Sequence, residues 1–273
     1  MKILLSTDFS ESSENAIIYV LKMVRNWGAI DISYVLVYGF KPLIPYTNVP
    51  SMPVMKNEEL EEKLRQKFND LLVKLKEKVE IKGFFQKGDL PNVINAIVKK
   101  EKPDFIVMGT REGSALERSS VGSNTMEVAF NANCPVLAVP REASFDGIKK
   151  MVITTDLEPL NIAHDSLVLV KNLMTLYGCN TSVLHVFEEG DPKELKNKLK
   201  DITFHRYLSQ VAHDHDAVVN KSVFDGIIDY INEKRPELMV AIPRGRGFFE
   251  GIFHSSVTEK MVYHAQIPIL ILV

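Results

Sequence analysis

Glycines and polar side chains in the first half of the chain stand where a phosphate could bind. Gly122 and Ser123 open a predicted helix, and the unpaired N–H groups of a helix N-terminus suit an anion. Gly109 and Gly113 follow an apolar strand and would let the loop fold over phosphates, because glycine brings backbone close to an anion. Asp8 follows the first predicted strand and could accept a hydrogen bond from a ribose hydroxyl or an adenine amine. Taken alone, these residues are equally consistent with a tight turn and a helix cap.

The strands that would position these residues occur twice. Residues 2–8 return as 150–156 at an offset of 148, and residues 102–108 return as 235–241 at an offset of 133. Residues 122–125 and 135–139 return as 255–258 and 268–272, again at 133. Two constant offsets indicate two copies of one fold, with a segment about 15 residues longer in the first copy.

Each copy alternates apolar runs with helical spacing. The predicted strands are residues 3–5, 32–38, 81–85, 105–108 and 136–139, then 151–154, 182–187, 217–219, 238–242 and 269–272. The predicted helices follow the N-cap candidate Ser10 and cover residues 60–79, 93–98, 122–133, 162–177, 192–212, 223–232 and 256–264. This alternation predicts the α/β class, with two tandem open doubly wound domains (1–143 and 149–273), each a five-stranded, mainly parallel sheet with helices on both faces.

Composition limits the class of protein. The chain has 273 residues, 45% hydrophobic and 25% charged, with a formal net charge of −2, which is typical of a soluble globular protein and gives no reason to expect nucleic acid as a partner. The two cysteines, Cys134 and Cys179, stand at non-equivalent points of the repeat and predict a reduced, cytoplasmic location. No signal peptide fits the opening strand, and no apolar run approaches the ~18 residues of a membrane span.

The opening Thr7-Asp8-Phe9-Ser10, Gly88-Asp89 before the third helix, and the stretch from Gly109 through Gly122-Ser123 to Cys134-Pro135 resemble the universal stress protein family. Both halves fit, so the chain resembles a tandem member. The resemblance implies a Rossmann-like, adenine nucleotide alpha hydrolase-like fold and a stress-response protein that binds ATP, ADP or AMP in its first copy, with Mg²⁺ as an accompanying ion. It implies these nucleotide-binding residues: Ser6, Thr7, Asp8, Val37, Tyr38, Gly109, Arg111, Glu112, Gly113, Gly122, Ser123 and Asn124.

The first copy departs from the family's glycine motif, G-x2-G-x9-G-[ST], at one position. Glu112 stands where the middle glycine belongs, and Gly113 follows it. Two interpretations remain open. The loop shifts by one residue and uses Gly113, or the Glu112 carboxylate repels the phosphates or meets them only through a metal. Arg111 is near enough in sequence to offset that charge.

The second copy departs further. Ile242 stands at the first glycine position and Ser255 at the third, and only Gly245 matches. A β-branched residue cannot adopt a positive φ cheaply, so we expect a degenerate, structural or regulatory copy. The residues that would form a degenerate second site are Asp156, Val186, Gly245, Ser255 and Ser256.

Three functions follow from these residues. The first is signalling by nucleotide binding, the second is a nucleotide-free interaction or scaffold protein, and the third is a weak ATPase. No nucleophile–base pair suggests itself, so no catalytic residue is assigned, and whether the protein is an enzyme stays open. His213 and His215 could ligate a metal but lack a third ligand nearby. Members of the family often pair through their last strands, which predicts that residues 136–139 pair with 269–272. A homodimer of whole chains is a further expectation.

Overall fold

The computed structural model describes residues 1–25, 27–28, 30–42, 57–110, 123–155, 164–190, 208, 211–242 and 257–272. The first copy has β1 (Lys2–Ser6), α1 (Glu11–Val24), β2 (Ser33–Phe40), α2 (Asn57–Lys76), β3 (Ile81–Lys87), α3 (Leu90–Glu101), β4 (Phe105–Thr110), α4 (Ser123–Asn131) and β5 (Val136–Pro140). The second has β6 (Lys150–Thr154), α5 (His164–Tyr177), β7 (Asn180–Phe187), β8 (Asp214–Val219), α6 (Val223–Lys234), β9 (Leu238–Ala241), α7 (Val257–His264) and β10 (Ile269–Ile271). Nearly all of the helix predicted at 192–212 lies outside the described residues.

All ten described strands form one sheet, in the order β3-β2-β1-β4-β5-β10-β9-β6-β7-β8. The α/β class and the mainly parallel sheet are therefore confirmed. The two five-stranded halves join edge to edge, because β10 pairs antiparallel with β5 (Leu270 opposite Leu137), whereas the other described pairs are parallel. The pairing leaves neither apolar strand as an open edge.

Two apolar layers, one on each face of the sheet, run through both copies. Successive strand residues point to opposite faces, so Leu5 belongs to one layer with Val139 and Leu270, while Leu4 belongs to the other. Helix α1 and helix α5 cover the first face, and α3, α4, α6 and α7 contribute to the second. Burial on both faces explains why these strands are continuous apolar runs rather than alternating ones.

The repeated Lys-Pro-Asp and Arg-Pro-Glu triplets end a helix and lead into a strand in the same way. Lys102 and Arg235 adopt left-handed φ values of 49° and 51° and close α3 and α6. The acid two residues later then anchors the first strand of its copy: the Lys2 N–H donates to Asp104 Oδ2 at 2.6 Å, and the Lys150 N–H donates to Glu237 Oε2 at 2.7 Å. The triplets therefore recur because each performs the same structural task.

The segment that joins the copies, residues 141–149, packs against α1. Ala143, Phe145 and Ile148 are buried, and the Phe145 ring meets the Tyr19 ring edge-on at 5.3 Å. The Asn15 side-chain amide donates to the carbonyls of Pro140 (3.1 Å) and Ala143 (2.9 Å). The boundaries 1–143 and 149–273 stay a prediction. Among the described residues, no helix is both long and apolar enough to cross a lipid bilayer.

Candidate functional site

The strand order of the first copy reverses between β1 and β4, since β2 and β3 lie on one side of β1 while β4 and β5 lie on the other. Ligands of open doubly wound sheets bind beyond the carboxyl ends of the strands at such a switch point. Asp8 follows β1, and Gly109 and Thr110 end β4. The structure thus brings together residues that are about a hundred positions apart in sequence.

The turn after β1 is held by its own side chains. The buried Thr7 donates its N–H to the Val37 carbonyl at 3.0 Å, which extends the β1–β2 ladder by one bond. The Asp8 carboxylate accepts from both the N–H (3.0 Å) and the hydroxyl (2.5 Å) of Ser10. Phe9, between them, has a φ of 60° and donates its N–H to the Thr7 hydroxyl at 3.0 Å. These bonds fix the exposed Asp8 at the rim of the switch point.

Helix α1 begins at Glu11, directly after its predicted N-cap, Ser10. The Ser10 side chain accepts from the Ser13 N–H at 3.3 Å, and Glu11 and Glu14 in the first turn favour the positive end of the helix dipole. The Ser13 hydroxyl lies 3.3 Å from the Thr7 hydroxyl, and this contact links the first turn of α1 to the end of β1.

Gly109 is required by the position of α1. A Cβ atom at this position would lie 2.3 Å from the carbonyl oxygen and 2.4 Å from the carbonyl carbon of Ser12, and 2.7 Å from the nitrogen of Ser13. On the other face, the Thr125 hydroxyl of α4 approaches the Gly109 carbonyl at 3.5 Å. The predicted reason for this glycine was close approach of a phosphate, and the structure adds another, the close approach of the α1 backbone.

Ser12 is a candidate site residue that the sequence alone does not reveal. Only 2% of its surface is exposed, and its hydroxyl has no hydrogen-bond partner among the described residues. A buried unsatisfied hydroxyl costs about 1–3 kcal/mol. The signal was hidden because a serine in the first turn of a helix is normally explained by capping, which Ser10 performs here.

Three aromatic rings form a wall on the β2 side of the switch point. Phe9 stacks on Tyr38 with ring centroids 4.7 Å apart, and Tyr38 stacks on Phe85 at 5.2 Å. The Arg65 guanidinium lies 4.3 Å from the Phe85 ring centroid. Burial, and secondarily the Asp8 charge, raise the pKa of Tyr38, so its hydroxyl stays protonated. Tyr38 was a predicted site residue; Phe9 and Phe85 were missed as members of the wall.

The remaining predicted residues of the first copy divide into two groups. Ser6 is buried at the end of β1, α4 begins at Ser123, and Asn124 is exposed in its first turn. The others lie outside the described residues: Arg111, Glu112, Gly113 and Gly122. Both interpretations of Glu112 in the glycine motif therefore remain open.

The second copy presents a different surface at its switch point. His185, the counterpart of Tyr38, places Nδ1 2.5 Å from the Thr155 carbonyl oxygen and faces Ala217 in the β7–β8 register, where Tyr38 faces Phe85. Val186 packs against α6, where a Cβ at Gly226 would lie 2.7 Å from its Cγ1. The aromatic wall is therefore not repeated. The other residues predicted for this site lie outside the described residues: Asp156, Gly245, Ser255 and Ser256.

Metal-binding side chains do not cluster in the described part of the chain, where no group of three His, Cys, Asp or Glu residues could hold an ion. The His213 and His215 rings lie 5.1 Å apart at the start of β8, and His213 Nδ1 lies 2.8 Å from the Val211 carbonyl oxygen.

Comparison with known proteins identifies the family. The profile described as the universal stress protein family matches residues 1–140 and 172–272, and the chain belongs to this family as a tandem member. A universal stress protein of Methanocaldococcus jannaschii is 30% identical over 146 residues, covering 51% of this chain and 82% of that protein.

A solved structure of the family shows the same fold. A universal stress protein of Archaeoglobus fulgidus matches with a TM-score of 0.74 and 18% identity, covering 99% of this chain and 97% of that one. A second structure from A. fulgidus, in complex with dAMP, is 18% identical and covers 45% of this chain and 97% of that one, with a TM-score of 0.35. The dAMP is a ligand of that protein.

Proposed function

We propose that the first copy binds an adenine nucleotide (ATP, ADP or AMP) at the switch point between β1 and β4, and that the protein acts in a stress response by binding and signalling. The observation that carries the proposal is the exposed Asp8 carboxylate at the end of β1, with the stacked Phe9 and Tyr38 rings beside it. These groups lie at the carboxyl ends of β1 and β2, and ligands of such sheets bind at that edge of the sheet.

Each group at the crevice has a role in this proposal. Asp8, exposed at the rim and oriented by Ser10, accepts hydrogen bonds from the ribose hydroxyls. The half-buried Phe9 and Tyr38 rings offer an apolar wall against which a purine can rest. The phosphates lie at the N-terminus of α4, at Gly122 and Ser123, where N–H groups lack helical partners.

Mg²⁺ is a secondary part of the proposal. The described residues hold no group of three ligands for it, so any ion would be held mainly by the phosphates. Glu112, which stands at the middle glycine position of the motif, is the acidic residue that could assist. The ion would screen the phosphate charge from that carboxylate.

The same proposal makes the second copy a degenerate one. Ile242 replaces Gly109. The stacked Tyr38–Phe85 pair has no counterpart between β7 and β8, where His185 lies opposite Ala217 and meets the Phe187 ring edge-on. The antiparallel pairing of β5 with β10 supports the expectation that one chain is a pseudo-dimer of its two copies. A cytoplasmic location, the domain boundaries given above and a homodimer of whole chains remain parts of this proposal.

Nucleotide released from the purified protein tests the proposal. The protein is denatured with acid, and the supernatant is separated by anion exchange, while the native protein is titrated with Mg-ATP, ADP and AMP by calorimetry. Gly122→Glu should abolish binding, because a carboxylate at the α4 N-terminus repels the phosphates, whereas Ser255→Glu should leave it unchanged. Absence of released nucleotide together with absence of binding would overturn the proposal, and equal effects of both substitutions would overturn the asymmetry.

A nucleotide-free interaction protein is the second candidate, and two contacts favour it. Gly109 is explained by the α1 backbone alone, and the Val37 carbonyl already accepts the Thr7 N–H. Neither contact needs a ligand. This candidate predicts a protein that purifies without nucleotide and shows no thermal shift with millimolar Mg-ATP.

A further inference from the structure

The joint between the two copies contains a cleft that neither copy could form alone. Its volume is about 310 Å³, at the lower end for small-molecule sites. It is lined by the joining segment, by Tyr19 of α1 and by the residues that precede β9 and β10, including Glu142, Asp146, Lys149, Glu237 and Gln266. No second joining segment exists among the described residues to form a matching cleft on the other side of the β5–β10 pair.

This cleft is separate from both candidate nucleotide sites. It lies at the amino ends of β9 and β10, whereas the switch point of the second copy lies at the carboxyl ends of its strands. In the first copy it follows the end of β5 and contacts the middle of α1 through Tyr19, not the first turn of that helix, which Ser12 and Gly109 share.

Tyr19 has an unused polar group at this cleft. The residue is 3% exposed and lines the cleft, yet its hydroxyl makes no hydrogen bond among the described residues. Its ring is held edge-on by Phe145 at 5.3 Å, so the side chain is fixed in place. Burial, then the neighbouring Tyr177 and Glu237, raise the pKa of Tyr19, so the group remains a neutral hydroxyl that can donate or accept.

Glu237 supplies a fixed negative charge beside this hydroxyl. Its Oε2 atom accepts from the N–H groups of Lys149 (3.1 Å) and Lys150 (2.7 Å), which orients the carboxylate, while Oε1 has no hydrogen bond among the described residues. Asp146, whose carboxylate accepts from Ser144 at 3.0 Å, adds a second negative charge.

The remaining charges at the cleft partly cancel. Glu142 faces the Arg141 guanidinium at 3.5 Å, and Lys149 carries one positive charge. The lining is therefore left with a modest excess of negative charge and several acceptor atoms. A positively charged group with several N–H donors matches this lining best.

We propose that the cleft between the copies binds a small primary amine, whose ammonium group donates to Glu237 Oε1 and to the Tyr19 hydroxyl oxygen. The buried hydroxyl and the oriented carboxylate supply two acceptors at fixed positions, and the ammonium group has three donors. The volume admits an aliphatic amine of a few carbons. The cleft is then a ligand site created by the tandem arrangement, distinct from the nucleotide site.

Calorimetric titration of the full chain with diaminobutane, near physiological ionic strength so that loose surface attraction is screened, tests the proposal. Succinate and butanediol, of the same chain length but anionic or neutral, are the matched probes and should not bind. We expect saturable binding of one amine per chain. Glu237→Gln should weaken it about tenfold or more and Tyr19→Phe about threefold or more, because charged hydrogen bonds are stronger than neutral ones.

Asp104→Asn is the control, because Asp104 anchors the first strand of its own copy as Glu237 does but lies outside the cleft. Thermal unfolding of each variant shows whether the fold is kept. Binding that survives both cleft substitutions, or that Asp104→Asn weakens equally, would overturn the proposal, as would absence of saturable binding at millimolar amine. Gly122→Glu should leave amine binding unchanged. This variant therefore tests the nucleotide site and the amine site separately.

Discussion

At the end of the fourth strand the first copy has Gly109 and the second has Ile242. Gly109 receives the first turn of α1, and no side chain larger than hydrogen fits between that turn and β4. In the second copy, Ile242 packs partly buried against the core. The comparison teaches that the first copy needs a glycine at this position to seat α1 against β4, whereas the second copy has a large apolar side chain there.

A second difference lies on the neighbouring strands. Tyr38 of β2 faces Phe85 of β3, whereas His185 of β7 faces Ala217 of β8. The first copy thus has a stacked aromatic wall, and the second has an imidazole that contacts the Thr155 carbonyl. Both differences lie at carboxyl ends of strands, where a ligand would bind, rather than in the shared strands.

The two copies are alike at residues that support only the fold. Lys102 and Arg235 end their helices with the same left-handed φ, and Asp104 and Glu237 anchor the first strands with the same bond. The fold has therefore been kept in both copies while the switch points diverged, which is the pattern expected when only one of them is a binding site.

The largest effect is expected from Gly109→Ala. The added Cβ would lie 2.3 Å from a backbone atom of Ser12, so α1 must shift, and we expect a loss of about 3 kcal/mol in the free energy of unfolding. Urea unfolding measures it as a lower midpoint with an unchanged slope.

Gly83→Ala is the matched control for this prediction. Its Cβ would also meet neighbours, Leu72 Cδ2 at 2.5 Å and the Phe68 ring at 3.0 Å, but these are side-chain atoms rather than backbone, and the Leu72 end can rotate away. The cost should be about 1 kcal/mol. Equal losses for the two alanine variants would contradict the special role of the α1 backbone at Gly109.

Much of the fold was predictable because it rests on local patterns. The apolar run at β1, the cap at Ser10, the 3.6-residue spacing of α2 and the repeated triplets at Lys102 and Arg235 each carry their own signal. The first residues of a strand are harder to predict than its apolar centre. Strand β8 begins at Asp214, earlier than the predicted 217, because its polar residues pair with β7 through backbone hydrogen bonds that hydrophobicity does not reveal.

The candidate site was predictable only in part. Asp8 and Gly109 carried a motif signal, but the contact of Gly109 with Ser12 depends on how α1 crosses β4, a tertiary relation between residues 97 positions apart. The Phe9–Tyr38–Phe85 wall likewise depends on three strands meeting in register. A single sequence reports residue types, whereas these features are set by distances between elements.

Ser12→Ala should change the free energy of unfolding by an intermediate amount. Removing a buried hydroxyl without a partner should stabilise the nucleotide-free protein by about 1 kcal/mol. If the hydroxyl serves a nucleotide, the same variant should bind that nucleotide several-fold more weakly, which calorimetry measures.

Ser166→Ala is the control in the second copy, because Ser166 is equally buried in the first turn of α5 but has a polar partner. Its removal should destabilise the protein. A Ser12→Ala protein that loses stability would mean that its hydroxyl is satisfied in solution, and unchanged nucleotide affinity would remove Ser12 from the proposed site.

The smallest expected effect is a difference between the copies in how the N-cap of one helix responds to pH. Asp89 caps α3 by accepting from the Asn92 N–H at 3.1 Å, and Ser222 caps α6 in the equivalent place by accepting from the Asp225 N–H at 3.2 Å. Hydrogen bonds from the Asn92 side chain and backbone lower the pKa of Asp89 below its ordinary value of 3.8. Its stabilisation is therefore complete above about pH 4 and is lost as the pH falls through the lowered value.

At pH 7, Asp89→Ala and Ser222→Ala should each cost about 1 kcal/mol of unfolding free energy, the usual size of an N-cap. As the solution is acidified below the lowered pKa of Asp89, the cost of Asp89→Ala should shrink, because the protonated carboxyl is already a weaker acceptor, while the cost of Ser222→Ala should not change. Asp89→Ser should give α3 the pH-independent cap of α6. Urea unfolding at neutral and acidic pH measures all three variants, and a parallel pH dependence for Ser222→Ala would show that acid acts elsewhere in the protein and not through the carboxylate cap.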